Sequence, residues 1–386
     1  MRFLHTSDWH LGRSFHGAGM LDAQAAFIDE LVATVRERRI DVVLIAGDVY
    51  DRALPGVDVV RLFDDALVRL RAAGAEVVLS SGNHDSATRL GFGGRLLGSA
   101  GIHVRTRLEE LDRPVEFDAG DHRVAVYALP YLEPRMTADA LGVEAPGHGP
   151  VVAAAVGRIR DDVETRGAGT GPLRTIVMAH VFAAGGSGSD SERELSVGGL
   201  EIVPVDVFEG FDYVALGHLH GRQTLRPGVR YSGSPLPYSF SEAGHVKGSF
   251  IVETSADGID VEEVEWSRPR PLAVLRGRLE ELLADEALAW AEPAYCQVTL
   301  TDADRPAQAM QRLRERFPET LVLAFEPEGR REERGRSYGE RIAAAASTLE
   351  VCSGFVDHVR QRPPSELETE VLAAALADAA SREVSA

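Results

Sequence analysis

Cysteine is almost missing from this chain. Cys296 and Cys352 are the only two in 386 residues. That is too few for a disulfide framework, suits a reducing compartment, and leaves both thiols expected to be inert. Nor does any stretch approach the ~18 consecutive apolar residues that a membrane span needs. The opening residues, Met1-Arg2-Phe3-Leu4-His5-Thr6-Ser7-Asp8, turn polar too soon for a secretory signal. No membrane association and a cytoplasmic location are therefore expected. Positive charge is short as well: 41 Lys and Arg stand against 60 Asp and Glu, a formal net charge of -19. This balance excludes a protein that grips nucleic acid mainly through a basic face. It leaves room for an enzyme whose site is made locally positive by bound cations.

What the chain does have is a series of apolar strands that stop at polar residues. The clearest is Val42-Val43-Leu44-Ile45-Ala46, ending in Gly47-Asp48. An unbroken apolar run rich in Val and Ile reads as a strand covered on both faces. Open α/β sheets place their chemistry outside the carboxyl ends of such strands. Arg2 to Thr6 runs into Asp8-Trp9-His10, and Glu76 to Ser80 runs into Gly82-Asn83-His84-Asp85. Helical spacing over Leu21–Arg38 and about Val57–Ala73 separates these strands, which is βαβαβ logic. Farther on, Arg174 to Ala179 delivers His180, and Tyr213 to Leu216 delivers Gly217-His218-Leu219-His220. Short strands from Val115 to Leu129, a helix over Val151–Thr165 after a Gly142–Pro150 loop, and hairpin strands through Trp266 complete a layered αββα sandwich. Ala183 to Arg193 reads as a flexible surface loop.

Any one of these histidines taken alone is more often a satisfied polar group than a ligand. Together, two carboxylates, one amide and four imidazoles at five strand ends suit two divalent ions sharing one carboxylate. Asp8, His10 and His220 would hold one ion, and Asn83, His180 and His218 the other, with Asp48 between them. Such a pair of ions hydrolyses phosphoesters by in-line displacement. His84 is adjacent to a ligand but is not needed as one, and so can serve the leaving oxygen. Asp51 or Asp85 could orient its ring, and the choice between them is open. Arg13 and His16 follow the first ligands in a loop and read as solvated, with contact to a nucleic acid backbone as the alternative. The seven remaining histidines, among them His16, His122, His148 and His245, are expected at the surface or in loops.

The organisation expected is residues 1–267 as the sandwich, then a stiff Arg268-Pro269-Arg270-Pro271 break. A small α+β domain over 268–328 follows, with strands at Leu272–Arg276, Tyr295–Thr301 and Thr320–Phe325. Helical stretches are expected between them near Leu279–Ala289 and Arg305–Phe317. Residues 329–341 read as a charged linker and 342–386 as C-terminal helices, Ile342–Arg360 and Ser365–Ala380. The second of these opens on a capping box, Ser365 with Glu368.

The motifs DWH, GDVYD, GNHD, a single His and GHLH, in this order, resemble the calcineurin-like metallophosphoesterase superfamily. Within it, SGNHDS, YVALGHLH and YSGSPLPYSFSE (Tyr231 to Glu242) are similar to SbcD, the family of nuclease subunits of bacterial SbcCD exonucleases. Arg268 to Leu283 resembles the start of that family's capping domain, so the likeness spans roughly residues 1 to 330. The resemblance implies a four-layer αββα metallophosphoesterase sandwich with a small α+β DNA-orienting cap and C-terminal helices. It implies the ligand set above with Mn2+ as the usual ion, and His84 as catalytic histidine. It also implies 3′–5′ exonuclease activity on duplex ends and endonuclease activity on hairpins and single strands. A homodimer through Ala87–Leu97 and Met136–Leu141 and docking of the C-terminal helices on an SbcC-type ATPase follow from it too. Two departures stand out. Asp51 occupies a position that is His in some archaeal relatives, and Val181-Phe182 follow His180 where a polar continuation is the pattern. The competing expectation is a small-substrate phosphodiesterase of the same fold, acting on cyclic nucleotides or phosphoesters. The cap and the terminal helices speak against it.

Overall fold

The computed structural model describes residues 1–168, 171–192, 202–268, 270–328, 347–360 and 362–384. It divides into two compact units, Met1–Pro271 and Leu272–Ala386. The expected linker at 329–341, residues 342–346 of the helix expected after it, Arg193 and Pro269 lie outside the described residues. Among the described residues no helix is long and apolar enough to cross a membrane.

The first unit is built on two six-stranded sheets. In chain order the strands of its first sheet begin with β1 (Arg2–Thr6), β2 (Val42–Ala46), β3 (Glu76–Ser80) and β4 (Ile102–Arg105). The second sheet takes β5 (Val115–Asp118), β6 (Arg123–Ala128), β7 (Leu173–His180), β8 (Tyr213–Gly217), β9 (Gln223–Arg226) and β10 (Val229–Tyr231). The chain then returns to the first sheet with β11 (Gly248–Thr254) and β12 (Ile259–Glu265), giving the order β12-β11-β1-β2-β3-β4. β1 to β4 are mutually parallel, as are β6, β7, β8 and β10, with antiparallel strands at the edges.

Alternation along a strand decides which layer each side chain joins. Val42, Leu44 and Ala46 of β2 meet Val126, Met178 and Ala215 of the other sheet in a shared apolar layer. Val43 and Ile45 point the opposite way and pack under α1 (Leu21–Arg38) and α2 (Val57–Ala72), with Phe27, Leu31, Phe63 and Leu70. On the far side, α3 (His148–Gly167) lays Val151, Val152, Ala155 and Ile159 over Val177 and Val214. The result is the αββα sandwich. α3 begins three residues before the sequence reading because Pro150 sits in the first turn. There its missing N–H leaves no hydrogen bond unmade.

The second unit carries a parallel three-stranded sheet, β13 (Leu272–Gly277), β14 (Tyr295–Leu300) and β15 (Thr320–Phe325). α4 (Leu279–Ala284) and α5 (Ala309–Arg316) supply Leu279, Leu282 and Leu313 to a core with Cys296, Val298 and Phe317. The helix expected through Ala289 breaks at Asp285, whose side chain caps a separate 3-10 turn, Glu286–Ala291. α6 (Thr348–Arg360) and α7 (Glu366–Val384) follow. The capping box is reciprocal: Ser365 N–H donates to Glu368 Oε2 at 2.7 Å, and Glu368 N–H to Ser365 Oγ at 3.3 Å.

Two histidines expected at the surface are in the interior. His122 is buried against Thr254 Oγ1 at 2.8 Å. His5, in β1, is fully buried and joins the two sheets, with Nδ1 2.9 Å from Tyr213 Oη and Nε2 3.1 Å from the Leu216 carbonyl. That carbonyl takes a proton from Nε2, so neutral His5 accepts from the tyrosine through Nδ1. Burial pushes its pKa from 6.5 down to about 3. The unfolded chain therefore binds a proton that the folded chain refuses, so His5 costs stability as pH falls below ~6.5. Between pH 7 and 5 the expected loss through His5 is about 2 kcal/mol. Urea melts in EDTA at both pH values should show this slope reduced in His5→Gln; equal slopes in the two chains would refute it.

Candidate metal centre

Every ligand type singled out in the sequence sits at the carboxyl end of β1, β2, β3, β7 or β8. The three strands from the first sheet are neighbours, and so are the two from the second. The loops after β1 and β2 run together as an extra ladder. Asp8 N–H donates to the Gly47 carbonyl at 3.1 Å, His10 N–H to Asp48 O at 3.0 Å and Leu11 N–H to Val49 O at 2.9 Å. Gln24 from α1 fastens the same turn: its amide donates to His10 O and its oxygen accepts from Gly12 N–H, both at 2.9 Å. Tyr238 Oη closes it by donating to Trp9 O at 2.5 Å.

Asp48 lies at the centre. Its Oδ2 is 3.5 Å from His10 Nε2 and 3.2 Å from His180 Nε2, so it stands between the two expected groups. On one side His10 Nε2 and His220 Nε2 are 3.1 Å apart, and Asp8 has an oxygen within 4.8 Å of both. On the other, Asn83 Oδ1 lies 3.0 Å from His180 Nε2 and 3.1 Å from His218 Nδ1. His84 also comes within 4.8 Å of His10 and Asp48, so the possible groupings overlap.

These contacts fit cations better than they fit each other. His180 Nδ1 already donates to the Ala46 carbonyl at 2.9 Å, so a neutral ring would aim its Nε2 lone pair at two oxygens. Burial pulls this imidazole down, but Asp48 and Asp8 outweigh it and raise its pKa to about 9. Burial likewise lifts Asp48, and His180, His10 and His84 together hold it well below its usual range. Burial, helped by Asp48, lifts Asp8 to about 6 against the pull of His180 and His220, while burial and His180 push His218 to about 3. His10 Nδ1 is buried without a hydrogen bond among the described residues. Backbone strain gathers here too: Asp8, His10, Asp48 and His218 all have positive φ, at 53°, 44°, 49° and 104°.

Two of the expected roles take a different form. Neither Asp51 nor Asp85 brings its carboxylate to His84. The ring is held by the main chain, with Nδ1 2.8 Å from the Asp51 carbonyl. Asp85 instead accepts N–H groups from Val49, Tyr50 and Gly82 at 2.9–3.1 Å and ties the β2 and β3 loops together. The Asp51 carboxylate faces Arg13 Nε at 3.7 Å and His10 Nδ1 at 3.8 Å. Arg13 packs over the Tyr238 ring, 5.2 Å from its centroid, whereas His16 is exposed. The stretch read as a flexible loop is fastened over its described part. Ser191 Oγ donates to Glu242 at 2.5 Å, Asp190 N–H to Ser241 Oγ at 2.9 Å and Ser187 N–H to Gln223 Oε1 at 2.8 Å. Val181, after His180, is buried, and the Phe182 ring lies 6.4 Å from that of His218.

Residues 1–222 match the family described as calcineurin-like phosphoesterase. The chain belongs to the calcineurin-like phosphoesterase family. Residues 268–359 match a second family, SbcD_C, described as the type 5 capsule protein repressor C-terminal domain. The two matches in this order are consistent with an SbcD-type nuclease subunit. Among solved structures, the chain is similar to a dimetal phosphatase from Danio rerio. The identity is 14% over 69% of this chain and 97% of that one, with a TM-score of 0.40. It is also similar to TT1561 of Thermus thermophilus, with 13% identity over 68% and 98% and a TM-score of 0.37. A third is GAP50, the anchor in the inner membrane complex of Plasmodium, with 11% identity over 85% and 98% and a TM-score of 0.40. As a calcineurin-like phosphoesterase the chain is a metal-dependent phosphoester hydrolase.

Sequence reading missed what surrounds the ligands in this phosphoesterase. Glu242 and Lys247 are buried beside His220, and Glu192 reaches the same residue from the loop after β7. Buried charges in irregular segments leave no periodicity to read. The YSGSPLPYSFSE stretch marked the place without revealing the contacts. Space at Asp48 is equally tight: a Cβ on Gly82 would fall inside van der Waals contact with the Asp48 carboxylate and its amide nitrogen. Gly82→Ala is expected to cost about 1–3 kcal/mol and to weaken divalent-cation uptake. A urea melt and a Mn2+ titration check this; uptake unchanged from wild type would contradict it.

Proposed function

We propose that this chain is the nuclease subunit of an SbcCD-type DNA repair complex in the cytoplasm, hydrolysing DNA phosphodiesters with two Mn2+ ions. Asp8, His10 and His220 would hold one ion, Asn83, His180 and His218 the other, and Asp48 would serve both. Two such ions supply Lewis-acid polarisation of the phosphoryl group and activation of water. The observation that carries the reading is His84. Its Nδ1–H is committed to the Asp51 carbonyl, so the proton for the leaving oxygen comes from Nε2 of the imidazolium form. Its N–H donates to Asp48 Oδ1 at 2.9 Å, so the group serving the leaving oxygen is anchored to the shared carboxylate. Asp85 braces the loop that presents Asn83 and His84.

Substrate class and partners rest on the second unit and on exposed apolar side chains. A small-ester hydrolase has no use for a domain of the 268–359 type, whereas a nuclease uses residues 268–328 to orient a duplex. Phe92, Leu96 and Met136, all at least 80% exposed, lie in the segments proposed to join a homodimer. Phe355, Val359, Leu367 and Val371 leave apolar side chains of α6 and α7 open for an SbcC-type ATPase. With a net charge of -19, the chain needs cations and a partner to hold a polyanion. The activities proposed are 3′–5′ exonuclease on duplex ends and endonuclease on hairpins and single strands.

The test sets linear duplex and hairpin DNA beside bis-p-nitrophenyl phosphate and a cyclic nucleotide, each with Mn2+ and the purified chain. DNA degradation is expected, reduced roughly 10²–10⁴-fold by His84→Ala with Mn2+ binding intact, and abolished with Mn2+ binding by Asp48→Ala. Turnover of the small esters with DNA left whole, even after an SbcC-type ATPase is added, would replace the nuclease with a small-substrate phosphodiesterase.

A further inference from the structure

His220 is held unlike any other residue of the cluster. Three of its atoms are taken by three different buried charged side chains. Its N–H donates to a Glu192 oxygen, its carbonyl accepts from Lys247 Nζ at 2.9 Å, and its ring Nδ1 lies 3.4 Å from Glu242 Oε1. By contrast His180 is oriented by a backbone carbonyl, and His10 Nδ1 has no hydrogen-bond partner among the described residues.

The supporting groups are themselves saturated. Lys247 Nζ donates to the His220 carbonyl, to Ser234 Oγ at 2.9 Å and to Glu242 Oε2 at 2.5 Å, which uses all three of its protons. Glu242 Oε1 further accepts from Tyr238 N–H at 3.2 Å and Ser191 Oγ at 2.5 Å. Glu192 Oε2 accepts from Ser189 N–H and Oγ, both at 2.5 Å. Glu242, Lys247 and Glu192 are all buried.

For packing alone this is a poor arrangement. A buried ion pair replaced by apolar residues of similar volume usually leaves a protein as stable or more so. What apolar residues cannot do is accept the Nδ1 proton of His220, which fixes the tautomer and points the Nε2 lone pair toward His10. A carboxylate at that position also makes the imidazole a stronger donor to a cation, and loss of such a partner typically costs 10–100-fold in metal affinity.

We propose that Glu242, locked by Lys247, is a positioning residue that sets the tautomer and aim of His220 for one of the two cations. This rests on the reading above that Asp8, His10 and His220 hold an ion. Glu192 and Ser191 extend the support into the loop after β7, so residues 187–192 brace the centre.

The test is a Mn2+ titration of the metal-free full chain by calorimetry, with free Mn2+ followed by electron paramagnetic resonance. The wild type is expected to bind two ions. Glu242→Met with Lys247→Met removes the acceptor and its ion-pair partner together, so neither member of the pair is left buried alone. That chain is expected to keep its melting temperature in EDTA and to bind one of the two ions roughly 10–100-fold more weakly. Glu242→Gln retains an acceptor oxygen without the charge and is expected to fall between the two; it decides the matter if the double variant does not fold. Two ions bound with wild-type affinity in a folded variant of either kind would overturn the role of Glu242 alone. A wild-type chain that binds no Mn2+ would overturn the two-ion reading beneath it.

Discussion

The carboxylate of Asp48 is the point on which the rest of this structure depends. It must lie between His10 on one loop and His180 from the opposite sheet, while its second oxygen holds the N–H of His84. Such crowding is possible only because the flanking backbone gives way. Gly47 takes φ +85°, where L side chains are strained, and a Cβ there would run into the His180 ring. The turns at Asp8, His10 and Asp48 carry the remaining strain in non-glycine residues. Strain of this kind persists where surrounding contacts over-determine it, and here the ladder between the β1 and β2 loops and the Gln24 and Tyr238 bonds do so.

Two sheets packed face to face give this carboxylate its neighbours. Each brings parallel strands whose carboxyl ends meet at one edge, so donors from residues far apart in the chain converge there. The shared apolar layer of Leu44, Ala46, Met178 and Ala215 lies directly below, which makes the floor of the centre part of the protein core. His5 adds a polar tie within that layer, bonding β1 to Tyr213 and to the Leu216 carbonyl of β8. The candidate ligand histidines are thus held by the same packing that joins the sheets.

Around the candidate ligands lies a frame of buried charged side chains. Glu242, Lys247 and Glu192 surround His220, while Asp85 gathers three main-chain N–H groups behind Asn83 and His84. Charges in such places are expensive unless fully partnered, and each of these is. In a metal-dependent phosphoester hydrolase with this acidic balance, positive charge at the centre has to come from bound cations. Protein and metal together, not the protein surface alone, set the local sign of charge.

Much of this was legible from sequence, and the reason is periodicity. β2, α1 and β3 follow from continuous apolar runs and helical spacing, and the polar residues closing each run announced the edge where they meet. The capping box at Ser365 and Glu368 was legible because its two bonds join residues three apart. Misreadings arose where contacts are distant in sequence. His5 and His122 look like any polar residue until the two sheets close on each other. The orienting group for His84 is a main-chain carbonyl, which every residue carries and no side chain advertises. The serine- and glycine-rich loop after β7 has a flexible composition, yet it is fastened by Glu242, Ser241 and Gln223 from far along the chain. By itself the sequence determined the strands, their polar ends and the chemical type of the centre, because those depend on local pattern. Only tertiary structure decided which atoms face one another, because the tautomers and partners of buried groups depend on neighbours that local pattern does not encode.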